Sequence, residues 1–133
     1  MTFCLDAIIL KPEKSLEIEN AIILLHGYGG DGQDISMLSL GWRRHLPNTV
    51  FICPNGHEKC AINPTGYQWF DFQSGDPATI WKGVLTAADT LSKFIDEQLE
   101  HYNLTDQDLA LVGFSQGTVS YTHLTLPTTG VVV

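Results

Sequence analysis

Three short, nearly continuous apolar runs, Ala21–Leu25, Thr49–Cys53 and Leu109–Phe114, constrain this chain more than any other feature. A strand with one wet face alternates apolar and polar residues. A strand buried on both faces does not, and such strands belong to sheets covered by helices on each side. The segments between the runs have helical spacing. Asp34–Leu46 places Ile35, Leu38, Trp42 and Leu46 on one stripe, and from Ala78 onward Ile80, Trp81, Val84, Leu85, Ala88, Leu91, Ile95 and Leu99 line another. Asp76-Pro77 suits the start of the second helix, with aspartate capping and proline in the first turn. A further strand is expected in Phe3–Leu10, closed by Lys11-Pro12, and Pro12–Asn20 reads as a polar surface turn. Strand, helix, strand, long helix, strand predicts an α/β class with a mostly parallel sheet flanked by helices. Pro54–Pro77 has no clear period, and a loop that long inside one domain is usually functional.

At 133 residues, 44% hydrophobic and 17% charged, the chain suits one domain and can build a core. Fifteen acidic and seven basic residues give a formal charge of −8, which repels phosphate backbones, so nucleic acid is not an expected partner. The segment Met1–Asp6 lacks a basic, apolar secretion signal, and no run is long enough to span a bilayer. Cys4, Cys53 and Cys60 are odd in number and without paired metal spacing, which predicts free thiols in a reducing cytoplasm. No His/Asp/Glu cluster has metal-ligand spacing, so neither a metal nor a cofactor is expected.

The composition breaks at Thr118. Every one of the 15 acidic and 7 basic residues precedes it, nine of the sixteen residues Thr118–Val133 are β-branched, and Pro127 interrupts the stretch. This stretch resembles neither a helix nor a paired strand. Val119–Thr128 also matches the translation of an adapter used in transposase-based sequencing libraries. Residues 1–118 are therefore expected to be the N-terminal part of one domain, and residues 119–133 a non-native tail. The last strand of the sheet would then lie uncovered, with unpaired backbone groups.

Two turns carry the chemistry. Gly113-Phe114-Ser115-Gln116-Gly117 fits GxSxG directly after a buried strand, the context in which a serine perches on a sharp strand-to-helix bend. Leu25-His26-Gly27-Tyr28-Gly29 also follows a buried strand, and its glycines let backbone N–H groups face a cavity. A loop of this kind supplies one oxyanion donor, and the residue after the serine supplies the other. The candidates are the backbone amides of Tyr28 and Gln116, with Ser115 as nucleophile.

Together with Gly30-Asp31-Gly32-Gln33-Asp34, Pro54-Asn55 and Trp69-Phe70-Asp71, these turns occur in the order and rough spacing of the phospholipase/carboxylesterase family, which includes the acyl-protein thioesterases. The chain resembles that family over nearly all of its first 117 residues. The resemblance implies an α/β-hydrolase fold, truncated here after the nucleophile elbow. It also implies a cofactor-free serine hydrolase acting on carboxylic esters or thioesters of small molecules, lysolipids or acylated proteins. By the same resemblance Trp69 lies near the acyl-binding entrance. Two departures stand out. Gly56-His57 replaces a frequent Ala-Pro, and the family's triad Asp and His come after the elbow, so this fragment is expected to be inactive.

Other readings of the same residues remain open. Gly27–Gly32 also satisfies GxGxxG, but the following strand ends in Ile52-Cys53-Pro54-Asn55, without the acid that would hold a ribose. A non-catalytic binding protein on a hydrolase scaffold is a second alternative. His26 is a tentative substrate-lining residue, although its glycine neighbours favour a structural role in shaping the loop. His45 and His101 fall near helix ends and should be solvated, and His57 sits in the long loop. His123 belongs to the suspect tail. Asp31 and Asp34 suit the start of the first helix. Trp69-Phe70-Asp71 fits either substrate lining or core packing with a turn-stabilising Asp.

Overall fold

The three apolar runs lie side by side. The computed structural model describes residues 3–13, 17–71, 73, 75–117 and 129–132, the last four as backbone only. Its main sheet comprises β1 (Ala7–Leu10), β2 (Asn20–Leu25), β3 (Thr49–Pro54), β6 (Leu109–Gly113) and β7 (Thr129–Val132) in the order β1-β3-β2-β6-β7. All neighbours are parallel except β1, which runs antiparallel to β3 at the edge. Helix α1 (Gly32–Trp42) joins β2 to β3, and α2 (Pro77–Tyr102) precedes β6. The expected α/β class with a mostly parallel sheet is the observed one.

Strand side chains alternate between the two faces. Ala21, Ile23, Leu25, Val50, Ile52, Leu109 and Leu111 enter the larger core with Val84, Ala87, Leu91, Phe94, Ile95 and Leu99 of α2. Leu24, Phe51, Cys53 and Val112 form a smaller cluster on the other face, with Ile35 of α1 packed against it. The α2 helix starts as expected: Asp76 accepts from the Ala78 amide and the Thr79 hydroxyl, and Pro77 opens the helix. It ends at Asn103, whose φ of 56° places it in the left-handed region, where the Leu104 amide reaches back to Leu99 O.

Several expectations need correction. The first strand begins at Ala7, not Phe3. In α1 the buried positions are Gly32, Ser36 and Ser39, while Leu38, Trp42 and Leu46 reach the surface. Small residues let the helix lie close to the sheet, and the two serines satisfy their own hydroxyls on Gln33 O and Ser36 O. Of the predicted stripe only Ile35 packs against the sheet, and Leu38, Trp42 and Leu46 face outward. Trp81 and Leu85 of α2 are likewise exposed. The long loop contains a two-stranded ribbon, β4 (Glu58–Lys59) against β5 (Tyr67–Gln68), whose two-residue strands are too short to show a period. The tail was expected not to pair, but β7 runs parallel to β6 with Ala110 opposite Thr129 and Gly113 opposite Val132. The edge of β6 is thus covered: β-branched residues suit a strand, and an open edge leaves backbone groups to be satisfied. His123 and Pro127 lie outside the described residues.

Two glycines of α1 test this packing in opposite directions. A Cβ at Gly32 would run into the Cys53 carbonyl, whereas one at Gly41 meets nothing within 4 Å. Gly32→Ala should destabilise by about 1–3 kcal/mol through overpacking. Gly41→Ala should stabilise by up to about 1 kcal/mol through helix propensity. Urea denaturation of the two variants beside the wild type checks both signs.

Candidate active site

Parallel pairing of β2 with β6 sets Leu25 opposite Gly113, so the turns that follow leave the sheet at the same end. The chain then goes from β2 to β3 on one side, while β6 lies on the other. Such a switch in strand order opens a crevice beyond the carboxyl ends of the strands, the usual position of a ligand site in an α/β sheet.

The elbow and the His-Gly loop touch. The Phe114 amide donates to Leu25 O at 3.1 Å. A Cβ placed on Gly117 would fall 2.7 Å from both Leu25 O and His26 O, so only glycine permits this approach. A Cβ on Gly27 would lie 3.4 Å from the Cβ of Ser115. Ser115 itself is exposed and has a φ of +53°, rare for a residue with a side chain. Strain of this kind costs on the order of 1–3 kcal/mol, and the tight packing around the turn holds it. Gln116 and Gly117 begin a helical turn, with the Gly117 amide donating to Phe114 O at 3.0 Å.

The long loop braces both turns. The Gly29 amide donates to Tyr67 O and the Tyr67 amide to Gly30 O, while Asn63 Nδ2 donates to Gly29 O at 2.8 Å. Asn55 Oδ1 accepts from the Gly32 amide at 2.7 Å, at the start of α1. Asp31 caps α1 by accepting from the Asp34 amide, as its sequence position suggested, and the Asp34 side chain sits in the first turn. Asp71 accepts from the Gln73 amide, the turn-stabilising role anticipated for it.

Two expected substrate-lining side chains are instead closed in. His26 is 2% exposed and Trp69 is fully buried, with their rings stacked at 5.1 Å between centroids. His26 Nδ1 lies 2.7 Å from Gly27 O, which can only accept, so Nδ1 carries the proton. Its Nε2 then accepts from the Gly56 amide at 2.8 Å. With both ring nitrogens occupied, His26 is a brace and not a free base. Gly56-His57, where the family often has Ala-Pro, thus contributes a backbone donor to this brace. Among the described residues no histidine is hydrogen-bonded to Ser115. His45 and His101 are exposed, as expected.

The Gln116 side chain was not anticipated, because only its backbone had a role in the sequence reading. It is buried, accepting from the Trp69 amide at 2.7 Å and the Phe70 amide at 3.3 Å, and donating to Phe70 O at 2.7 Å. Asn55 and Asn63 were also missed. Pro54-Asn55 was recognised as a motif, but nothing local marks an asparagine that caps a helix 23 residues earlier.

Cys4, Cys53 and Cys60 are free. Burial pushes the Cys53 thiol up to about 12, and burial followed by a bond to Glu97 pushes Cys4 up to about 11, so neither is a ready thiolate nucleophile. Among the described residues, no group of His, Cys, Asp and Glu could hold a metal ion, and no helix is long and apolar enough to cross a membrane.

Burial lowers the pKa of His26 below its ordinary value. The bond to Gly27 O and the charges of Asp31 and Asp34 oppose this without reversing it. The fold therefore favours the neutral ring. The stability this confers is complete above the unfolded pKa of about 6.5 and is lost as pH falls towards the folded value. One such group contributes a slope of at most about 1.4 kcal/mol per pH unit. Urea midpoints should fall between about pH 7 and about pH 5.5, and fall less in His26→Gln. Parallel pH profiles for the two proteins would contradict the assignment.

Comparison with known proteins agrees with this geometry. The phospholipase/carboxylesterase family model matches residues 7–132. Among solved structures, esterase PE8 shares 36% identity with a TM-score of 0.77 over 85% of this chain and 53% of its own. A carboxylesterase from Mesorhizobium loti shares 21% identity with a TM-score of 0.71, over 90% of this chain and 53% of its own. Zea mays acyl-protein thioesterase 2 shares 22% with a TM-score of 0.54, over 86% of this chain and 48% of its own. The chain spans about half the length of these proteins, and its α/β-hydrolase fold corresponds to that half.

Proposed function

The chain belongs to the phospholipase/carboxylesterase family, and from that premise we propose that it carries the nucleophile and oxyanion half of a serine hydrolase cleaving carboxylic esters or thioesters. The observation that carries the reading is the contact between the two turns: an exposed serine at φ +53° beside a glycine loop from the neighbouring parallel strand.

In this mechanism Ser115 Oγ attacks the acyl carbonyl while a histidine takes its proton. That histidine, and the aspartate orienting it, would come from sequence beyond the elbow. The carbonyl oxygen becomes an oxyanion facing the backbone amides of Tyr28 and Gln116. Collapse expels the alcohol or thiol, which leaves with the proton from the histidine. Water, deprotonated by the same histidine, then cleaves the acyl-enzyme and regenerates Ser115. Each preorganised amide stabilises the transition state by on the order of 3 kcal/mol. The chemistry is complete without a cofactor.

The substrate would be an ester or thioester, whether on a small molecule, a lysolipid or an acylated protein. A cytoplasmic location belongs to the same proposal, supported by three free thiols. On the same reading, the 133-residue chain alone should be inactive without that histidine and aspartate.

A fluorophosphonate probe tests the assignment. The enzyme expressed from its complete reading frame should label, and Ser115→Ala should not; equal labelling of both refutes it. The 133-residue chain should hydrolyse p-nitrophenyl esters at the background rate.

A further inference from the structure

The two halves of the proposed oxyanion site come from different strands, and each continues past the last pairing that fixes it. Leu25 opposite Gly113 is the end of the β2–β6 register, beyond which the turns meet through the Phe114 amide on Leu25 O and the close approach of Gly117 to His26 O. Trp69 of the long loop is fastened to both turns. Trp69 Nε1 donates to His26 O at 2.9 Å, and its indole stacks on the His26 ring with an interplanar angle of 26°. The Trp69 amide donates to Gln116 Oε1 at 2.7 Å, and the same Gln116 side chain holds both backbone groups of Phe70. All of these groups are buried.

We propose that Trp69 is a positioning residue, a rigid spacer that sets the separation between the Tyr28 and Gln116 amides. The proposal rests on the hydrolase reading above. It assigns Trp69 a role different from the acyl-entrance role implied by the family resemblance. The indole has two rotatable bonds, both fixed by packing, and its N–H is aimed at a carbonyl two residues before Tyr28. Its backbone is fastened to the residue that supplies the other amide. A change at Trp69 therefore alters the distance between the donors without touching the substrate. Phenylalanine would preserve the stacking but leave the buried His26 carbonyl without this donor.

The two roles differ in kinetics. A spacer affects the transition state at equal cost for every substrate, whereas a pocket wall affects binding according to acyl length. In the enzyme from its complete reading frame, with p-nitrophenyl acetate, butyrate and octanoate, Trp69→Phe should lower kcat roughly tenfold to a hundredfold for all three. KM should stay within about twofold. Unchanged kcat, or a loss through KM that grows with chain length, overturns the proposal. Ser115→Ala separates the two levels of the argument. If the wild type shows no Ser115-dependent turnover, the hydrolase reading falls and this proposal with it. If turnover depends on Ser115 but Trp69→Phe matches the wild type, the proposal alone falls.

Hydrogen exchange on the 133-residue chain gives a second measurement that needs no turnover. The indole N–H of Trp42 belongs to an exposed residue, whereas that of Trp69 is buried and bonded to His26 O. The Trp69 indole proton should exchange at least about tenfold more slowly than that of Trp42. Gln116→Met should abolish that difference while the β2 and β3 amides stay protected. A Trp69 indole proton as fast as that of Trp42 in the wild type, or one still slow in Gln116→Met with the strands protected, overturns the link.

Discussion

The parallel pairing of β2 with β6 is the constraint on which the rest of the site depends. Parallel strands send their carboxyl ends in the same direction, so two turns 88 residues apart by the numbering, at Gly27 and Ser115, leave the sheet together. Had the pairing slipped by one residue, every side chain of β6 would have exchanged faces, and Leu111 could not join α2's core. The apolar character of Ala21–Leu25 and Leu109–Gly113 on both faces is thus what holds Ser115 beside the His-Gly loop. Hydrophobic burial decides where the chemistry can happen before any polar group is involved.

The sequence disclosed this much because the relevant signals are local. A continuous apolar run followed by glycines is visible within ten residues, and so is Asp76-Pro77 at the head of α2. What stayed hidden involves partners distant in the chain. Gln116 grips the backbone of Trp69 and Phe70 across 46 to 47 positions, and Asn55 reaches the Gly32 amide across 23. No periodicity records such pairings. The shift of the inward face of α1 from Leu38 and Trp42 to Ser36 and Ser39 has another cause. Helical spacing identifies which residues share a stripe, but it does not say which stripe faces inward. Ser36 and Ser39 face inward because their hydroxyls bond to their own helix. The pairing of β7 was missed because composition describes a segment by itself, whereas a strand edge recruits whatever extended backbone can satisfy it.

His26 has the structural, loop-shaping role that its glycine neighbours favoured. Its position between Gly27 O and the Gly56 amide requires one protonated and one bare nitrogen, the neutral tautomer with nothing left to offer. Burial reinforces that state by disfavouring the cation. Protonation would set an Nε2–H against the Gly56 N–H and break the brace. The residue acts as an architectural element because both ring nitrogens are already engaged.

Electrostatics place a last condition on the proposed reaction. A chain of net charge −8 is a poor setting for a developing oxyanion, since the mean field opposes negative charge. In the proposed reaction the backbone dipoles of the Tyr28 and Gln116 amides would do the stabilising. Dipoles act over short range, and their effect depends on direction, so an amide misplaced by an ångström loses much of its value where a lysine would lose little. A site of this kind tolerates an acidic surface only if its donors are held rigidly. That requirement accounts for the number of buried bonds devoted to fastening two turns together: the glycine contact at Gly117, the three bonds of Gln116, the indole N–H on His26 O and the Gly56–His26 brace. In the proposed reaction rigidity would take the place that charge holds in other anion-stabilising sites.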